Sequence, residues 1–374
     1  MAEVLTGRRI LLSTDAVGGV WTYSLDLARE LGAAGIETVL AVMGPPPRSS
    51  AAEAARAIPG LSLVTTDLPL DWLAETPEQV TDAADALGEL ARGQGCDIVQ
   101  LHTPALAAGR AYPAPVISIH HSCLATWWSA VKGDEPLPED FRWRRELVAR
   151  GLAASEAVVA PTSALAHEVA SAYGLASPPT VIRNGRQDIA APPAGTRSPV
   201  ILSSGRLWDE GKNFATLDRA AALIDTPVLA AGPDCGPQGG AVEFTALEML
   251  GTLSEERMRH WLSSAPVYVS TALYEPFGLG VLEAAQAGSA LVLSDIASFR
   301  ELWSGAALFV PPRDAEAVAR ALERVTADAM LQQLLSERAR RRAQRYTSRA
   351  MAGELMRLYA MLIALSGPEC EAAA

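Results

Sequence analysis

Only four cysteines occur, Cys96, Cys123, Cys235 and Cys370, and none has the spacing of a metal ligand set. That excludes a zinc module or a disulfide scaffold and fits a reducing cytoplasm, with the thiols as packing residues or bystanders. No apolar run reaches the roughly 18 residues that a membrane-spanning helix needs. A signal-peptide layout is missing as well: Gly7-Arg8-Arg9 leads into a short strand-like run and then into polar Ser13-Thr14-Asp15. Basic charge is in deficit, with 31 Lys and Arg against 43 Asp and Glu and a net charge of −12, which argues against nucleic acid as a partner. There is no Asp-x-Asp triplet able to hold a divalent ion. The strict G-x-G-x-x-G fingerprint is absent too, which leaves a nicotinamide dehydrogenase a weak reading.

What is present is ordinary globular material, 49% hydrophobic and 20% charged, and 374 residues suffice for about two domains with their own cores. Arg9-Ile10-Leu11-Leu12-Ser13 reads as a buried parallel strand. Thr14 to Val20 reads as a loop containing Gly18 and Gly19, where backbone can approach a phosphate or a sugar. A helix with Leu25, Leu27, Ala28 and Leu31 on one face and a strand Thr38–Val42 complete a β-α-β unit. Residues 44–60 read as a Pro/Ser/Ala-rich connection. Two further strands end in histidine, Asp97–His102 and Val116–His121. Loops at the carboxyl ends of parallel strands are where open α/β sheets bind ligands. This makes His120 the first choice for a site residue, with His102 and His121 beside it, although a histidine there is often structural. Trp127 and Trp128 follow, and serve equally as a platform for a sugar ring or as packing. Ser163 is placed to cap a helix over 164–172. Residues 186–198 read as a hinge.

The rhythm then repeats. After the strand Val200–Ser204, the loop Gly205 to Asn213 carries Arg206 and Lys212, a bidentate and a point-charge cation at a strand's carboxyl end. The stretch Tyr274-Glu275-Pro276-Phe277-Gly278-Leu279-Gly280-Val281-Leu282-Glu283-Ala284-Ala285 reads as strand end, tight turn and helix. Glu275 stands at the end of the strand Ala265–Ser270, and Glu283 in the first or second helical turn. Amides at Gly278 to Gly280 face off a helix N-terminus, a setting that favours an anion. Residues 327–349 read as a basic helix with a solvated face, an anionic membrane surface being the second reading. A last helix over 348–365 carries Met351, Leu355, Leu358, Tyr359 and Leu362 on one face, and the tail 366–374 is expected to be disordered.

These residues resemble the retaining GT-B glycosyltransferases of family 4. Gly18-Gly19-Val20 is similar to that family's N-terminal glycine loop, Val181-Ile182-Arg183-Asn184-Gly185 to its inter-domain element, and Gly205-Arg206-Leu207 with Lys212 to its G-R-L…K element. Glu275-Pro276-Phe277-Gly278-Leu279 with Leu282-Glu283-Ala284 matches its most specific motif. The chain departs from the pattern at Gly211-Lys212-Asn213, where the glycine precedes the lysine, at Arg186-Gln187-Asp188 and at His121.

The resemblance implies two Rossmann-like α/β domains facing across a cleft, 1–190 on the acceptor side and 191–346 on the donor side. It implies a closing helix over 347–366 that returns to the first domain. It implies a metal-independent hexose transfer from a nucleotide-diphosphate sugar (UDP, GDP or ADP left open) to a carbohydrate, lipid-linked or small-molecule hydroxyl, without a separate cofactor. Arg206 and Lys212 would meet the diphosphate. Glu275 would meet the sugar and Glu283 the ribose. Gly18, Gly19, Gly205, Phe277, Gly278 and Leu279 would line the donor, His120 would orient the sugar or the acceptor, and His102, His121, Trp127 and Trp128 would stand on the acceptor side. The work would fall in cell-surface polysaccharide, glycolipid or small-glycoside synthesis, in the cytoplasm or peripherally at the inner membrane face. A nucleotide-sugar epimerase and an inactive nucleotide-sugar-binding protein are the alternatives.

Overall fold

A computed structural model describes residues 2–109, 111–189, 198–236 and 239–366. The tail from 367 and most of the 186–198 hinge lie outside the described residues. The chain forms two compact units. The first combines Met1–Ser129, Asp134–Gly185 and Ser348–Ala374, and the second Ala130–Gly133 with Arg186–Thr347.

The first unit is built on seven strands: β1 (Arg9–Asp15), β2 (Glu37–Met43), β3 (Leu61–Thr65), β4 (Ile98–Leu101), β5 (Val116–Ile119), β6 (Ala157–Ala160) and β7 (Thr180–Val181). Their order is β3-β2-β1-β4-β5-β6-β7, and every pairing is parallel. The strands at its centre are buried along their whole length, as a sheet covered on both faces requires. The direction of winding reverses between β1 and β4, so that the loops leaving these two strands diverge and open a crevice.

Several local readings change. β1 runs on to Asp15, and the next helix already starts at Gly19, so the glycine loop is shorter than its sequence suggests. The cause is Asp15, whose Oδ1 accepts the amides of Val17 at 2.8 Å and Gly18 at 3.1 Å and turns the strand directly into the helix. The 44–60 connection contains a helix, Ser49–Arg56, which buries only Ala52 and Ala55, too small an apolar face to register as a period. Trp127 and Trp128 stand on a helix, Leu124–Lys132. The helix Ser163–Tyr173 is capped by Thr162, whose hydroxyl accepts the Leu165 amide at 3.1 Å, and Ser163 lies inside it.

The last helix, Ser348–Leu365, does return to the first unit. Met351, Ala352, Leu355, Tyr359 and Leu362 share one core with Leu27, Leu31 and Leu40. Two polar contacts fix its register: Tyr359 donates to Gln100 Oε1 at 2.6 Å in the interior, and Ser348 donates to Glu30 Oε1 at 2.7 Å.

The second unit carries β8 (Ile201–Ser204), β9 (Val228–Ala231), β10 (Glu248–Gly251), β11 (Val267–Ser270), β12 (Ala290–Ser294) and β13 (Ala307–Val310). They form a parallel sheet in the order β10-β9-β8-β11-β12-β13, with the reversal between β8 and β11. Alternate residues feed two cores. Leu202, Tyr268, Leu291 and Leu293 join one, while Ile201, Val267, Val269 and Val292 join the other. A helix not read from the sequence, Ala297–Trp303, buries Phe299, Leu302 and Trp303. The basic stretch 327–349 is broken: one helix ends at Ala343 and the next begins at Ser348. Part of its charge is structural, since Arg342 donates to the carbonyls of Leu302 at 2.8 Å and Ser304 at 3.0 Å beyond the short helix.

Candidate functional site

In the second unit, the loops leaving β8 and β11 are stitched together. The Gly211 carbonyl accepts the amides of Leu273 at 2.8 Å and Tyr274 at 3.1 Å. Asn213 Nδ2 donates to the carbonyls of Thr271 at 2.9 Å and Pro312 at 2.7 Å. Asn213 is left-handed at φ 54°, the only non-glycine residue with positive φ among the described residues. A side chain that bonds to nearby backbone lets asparagine hold this conformation. Lys212 therefore directly precedes the left-handed residue, and Asn213 occupies that position in place of a glycine. Asn213→Ala should cost about 2–4 kcal/mol, from the left-handed backbone and the two orphaned carbonyls, and Asn213→Gly markedly less. Urea unfolding of the two variants separates them, and equal losses would refute the backbone part.

This stitching brings the charged residues together. Lys212 Nζ meets Glu275 Oε2 at 2.6 Å, each side chain 18% exposed. Arg206 Nη2 meets Asp209 Oδ2 at 2.6 Å, and its guanidinium lies 5.6 Å from the Trp208 ring. Burial pushes the Asp209 carboxyl up, but Arg206, Lys212 and the Gly211 amide outweigh it and hold the group below the usual carboxylate range. Glu275 lies beyond the end of β11, which stops at Ser270. Ser298 fixes it by donating to its carbonyl at 2.6 Å.

The helix Leu279–Gln286 begins on Gly278, at φ 87°, where a Cβ would come within 3.1 Å of the Phe299 ring. At Gly280 a Cβ would meet the Tyr268 hydroxyl at 2.8 Å and Ser204 Oγ at 2.9 Å, so both glycines are demanded by space or backbone. Phe277 is buried and meets Tyr346 edge to face, with centroids 5.8 Å apart. The first-turn amides of this helix have no partner within the helix and point outward. Glu283 sits in the second turn, and its Oε1 accepts from Arg186 Nε at 2.7 Å, with side-chain exposures of 16% and 11%. Arg186 was legible only as a departure from the family pattern. Its backbone explains its place, because its amide donates to the Tyr346 carbonyl at 3.1 Å and it bridges to Thr347. Burial raises the Tyr268 hydroxyl above its ordinary pKa, and Glu275 and Glu283 both add to the rise, so the two glutamates flank one buried tyrosine.

In the first unit the three histidines also gather. His120 is fully buried, its ring 6.5 Å from Tyr173 with the Cys123 thiol beside it. Burial pushes Cys123 up, but the His120 ring, Thr126 and Tyr173 bring it below the ordinary thiol value. Burial, with His102 and His120 adding to it, holds His121 down at about 3, and its ring stacks edge-on against Tyr23 at 4.7 Å. Gly18 lies between the Asp15 turn and the helix that starts at Gly19, and Gly205 follows β8 directly. Trp127 and Trp128 pack at 6.2 Å, Trp128 meets Phe141 at 6.1 Å, and its indole donates to the Glu135 carbonyl at 2.8 Å. Among the described residues no group of three His, Cys, Asp or Glu side chains could hold a metal ion, and no helix is long and apolar enough to cross a membrane.

Residues 17–187 match the model described as Glycosyltransferase Family 4, and residues 198–328 that of Glycosyl transferases group 1. A phosphatidyl-myo-inositol mannosyltransferase from Mycolicibacterium smegmatis is 30% identical over 175 residues, 42% of this chain and 44% of that protein. A glycogen synthase from Mycobacterium tuberculosis is 28% identical over 279 residues, 67% of this chain and 64% of that one. The matches thus span less than two thirds of these relatives. Among solved structures, a sucrose-phosphate synthase from Thermosynechococcus elongatus superposes with a TM-score of 0.81 at 20% identity, covering 96% of this chain and 100% of that one. Anabaena HepE in complex with UDP-glucose gives 0.72 at 17% identity over 95% and 100%. These likenesses establish the GT-B fold.

Proposed function

Because this chain belongs to the family 4, group 1 glycosyltransferases, we propose that it is a retaining, metal-independent transferase that moves a hexose from a nucleotide-diphosphate sugar to an acceptor hydroxyl. The observation that carries the reading is the convergence of Arg206, Lys212, Glu275 and Glu283 on the loops and helix that follow β8 and β11. HepE, a neighbour in fold, has been solved with UDP and with UDP-glucose, which supports a nucleotide sugar as donor.

The chemistry follows from the pairs. Lys212 exchanges Glu275 for the diphosphate, and Arg206 turns from Asp209 towards it. Charge builds on the diphosphate as the glycosidic bond breaks, so these contacts strengthen in the transition state and accelerate the step. Glu275, released from Lys212, accepts from hydroxyls of the transferred sugar or faces the positive charge developing at its anomeric carbon. The outward amides after Gly278 hold phosphate oxygens, with Phe277 and Gly205 shaping the turn beside them, and Glu283 accepts from the ribose. In the first unit, Gly18, Gly19 and His120 are the residues we assign to substrate, with His120 orienting the sugar or acceptor. Two cations and the amides after Gly278 neutralise the leaving group without a divalent ion. The acceptor attacks from the face that the diphosphate leaves, which takes up its proton. We place the protein in the cytoplasm.

A thermal-shift panel of UDP-, GDP- and ADP-sugars tests the donor assignment. A true donor at about 100 times its Kd should stabilise the protein by roughly 2.7 kcal/mol. No shift with any of them would overturn the reading. Sugar conversion by donor alone, without an acceptor, would replace it with epimerisation.

A further inference from the structure

The reversal point of the first sheet holds a cluster of polar side chains to which the donor reading gives no role. Ser13, near the end of β1, and His102, just after β4, are joined twice. Ser13 Oγ accepts the His102 amide at 3.0 Å and lies 2.7 Å from His102 Nδ1. The buried hydroxyl has no other acceptor for its proton among the described residues, so the contact is assigned as Oγ–H donating to Nδ1, with the ring proton on Nε2. His102 is 9% exposed, and its Nε2 is buried with no hydrogen-bond partner in the chain. His121 Nε2, just past β5, is buried in the same condition. A buried N–H without an acceptor is a cost that folding does not leave standing without reason.

A carboxylate is held by the residue that follows His102. Thr103 Oγ1 donates to Asp71 Oδ2 at 2.9 Å, and both Asp71 and Asp15 act electrostatically on His102. A donor and a carboxylate acceptor side by side are the complement of a hydroxyl, which accepts from one and donates to the other. The charge balance says which hydroxyl compound. Burial holds both histidines in their neutral form, against Asp71 and Asp15 at His102. Arg144 supplies one positive charge near Asp71; it lies 4.3 Å from the Trp143 ring and donates from Nη2 to the Ala74 carbonyl, while its Nε is buried without a partner. Two carboxylates against one cation leave the cluster net negative, which disfavours a phosphate dianion.

We propose that Ser13, Asp71, His102 and Thr103, with His121, bind a hydroxyl of an uncharged sugar acceptor and reject its phosphorylated counterpart. The proposal rests on the glycosyltransferase reading. It names the acceptor class, and it makes Asp71 a specificity-determining residue.

The test is calorimetric titration of the full chain, saturated with the nucleoside diphosphate of the donor found above, with glucose, mannose, fructose and N-acetylglucosamine, and with their 6-phosphates. At least one neutral sugar should bind, and its 6-phosphate should bind at least tenfold more weakly. Asp71→Asn should weaken the neutral sugar at least fivefold and narrow the gap to its phosphate, while nucleoside diphosphate affinity stays within twofold. His102→Asn should also lose the neutral sugar. Binding of a 6-phosphate as tight as that of its parent sugar, heat from none of the neutral sugars, or an Asp71→Asn variant with unchanged selectivity would each overturn the proposal. In all three cases intact nucleoside diphosphate binding leaves the donor reading standing, and failure of that binding sinks the donor reading itself.

Discussion

Lys212→Ala should lower turnover by about 10²–10³, or some 2.7–4 kcal/mol of transition-state stabilisation, the scale of removing one preorganised charge contact. The geometry sharpens why. Lys212 is held by the 3-10 turn Glu210–Lys212 on one side and by left-handed Asn213 on the other, so its ammonium is placed before any ligand arrives. Its resting partner is Glu275, at 2.6 Å. Removing the lysine thus also leaves the Glu275 carboxylate unneutralised at the place proposed for the diphosphate, and repulsion adds to the lost attraction. Nucleotide-sugar affinity should fall as well, but less than turnover, because the lysine's contact strengthens as the leaving group gains charge. Lys212→Arg should recover only part of the activity, since a planar fork replaces a point charge. Single-turnover kinetics decide the matter: a rate within about threefold of the parent would remove Lys212 from the reaction.

The second large effect concerns Glu283 and Arg186. A carboxylate that accepts ribose hydroxyls contributes through charge-assisted hydrogen bonds, worth about 1.5–3 kcal/mol, so Glu283→Ala should raise the nucleotide Kd by about 10–150-fold. Arg186→Ala acts on the same carboxylate from behind. The pair is largely enclosed, with 11% and 16% of the side chains exposed, and removing one partner of such a pair costs about 3–5 kcal/mol. Each single change leaves the other charge enclosed and unpaired, so Glu283→Ala and Arg186→Ala should both destabilise the fold. The double variant should be less damaged than the sum of both, with a coupling of about 1–3 kcal/mol. Additivity to within about 0.5 kcal/mol would mean that the pair contributes nothing of its own. An unchanged nucleotide Kd in Glu283→Ala would rule out the ribose role.

Much of this architecture is legible in the sequence. Buried parallel strands announce themselves as continuous apolar runs, and both β-α-β rhythms follow from them. The last helix was legible too, because Met351, Leu355, Leu358, Tyr359 and Leu362 recur at helical spacing, and all but the partly buried Leu358 are buried. The short helices Ser49–Arg56 and Ala297–Trp303 were not, since they bury a few small or clustered residues and give no sustained period. The helix bearing Trp127 and Trp128 escaped for a related reason: aromatics at consecutive positions mark no single face. Among site residues, position after a strand's carboxyl end pointed to Arg206, Lys212, Glu275 and the histidines. Asp15, Asp71, Asp209 and Arg186 were missed, because their importance lies in partners that the sequence does not place beside them: two amides, a threonine, an arginine and a glutamate.

The route of the chain has a consequence for how the protein is made. The second unit uses essentially one uninterrupted segment, Arg186–Thr347, whereas the first needs residues from both ends, including Ser348 onward. On the ribosome the second unit can therefore complete its core while the first still lacks Met351, Leu355 and Tyr359 from the core that surrounds Leu27 and Leu31. The part synthesised first is finished last. Until the final helix is released, the helix Gly19–Ala33 must wait with an apolar face uncovered, and for that interval the nascent chain is open to aggregation and a natural client for chaperones.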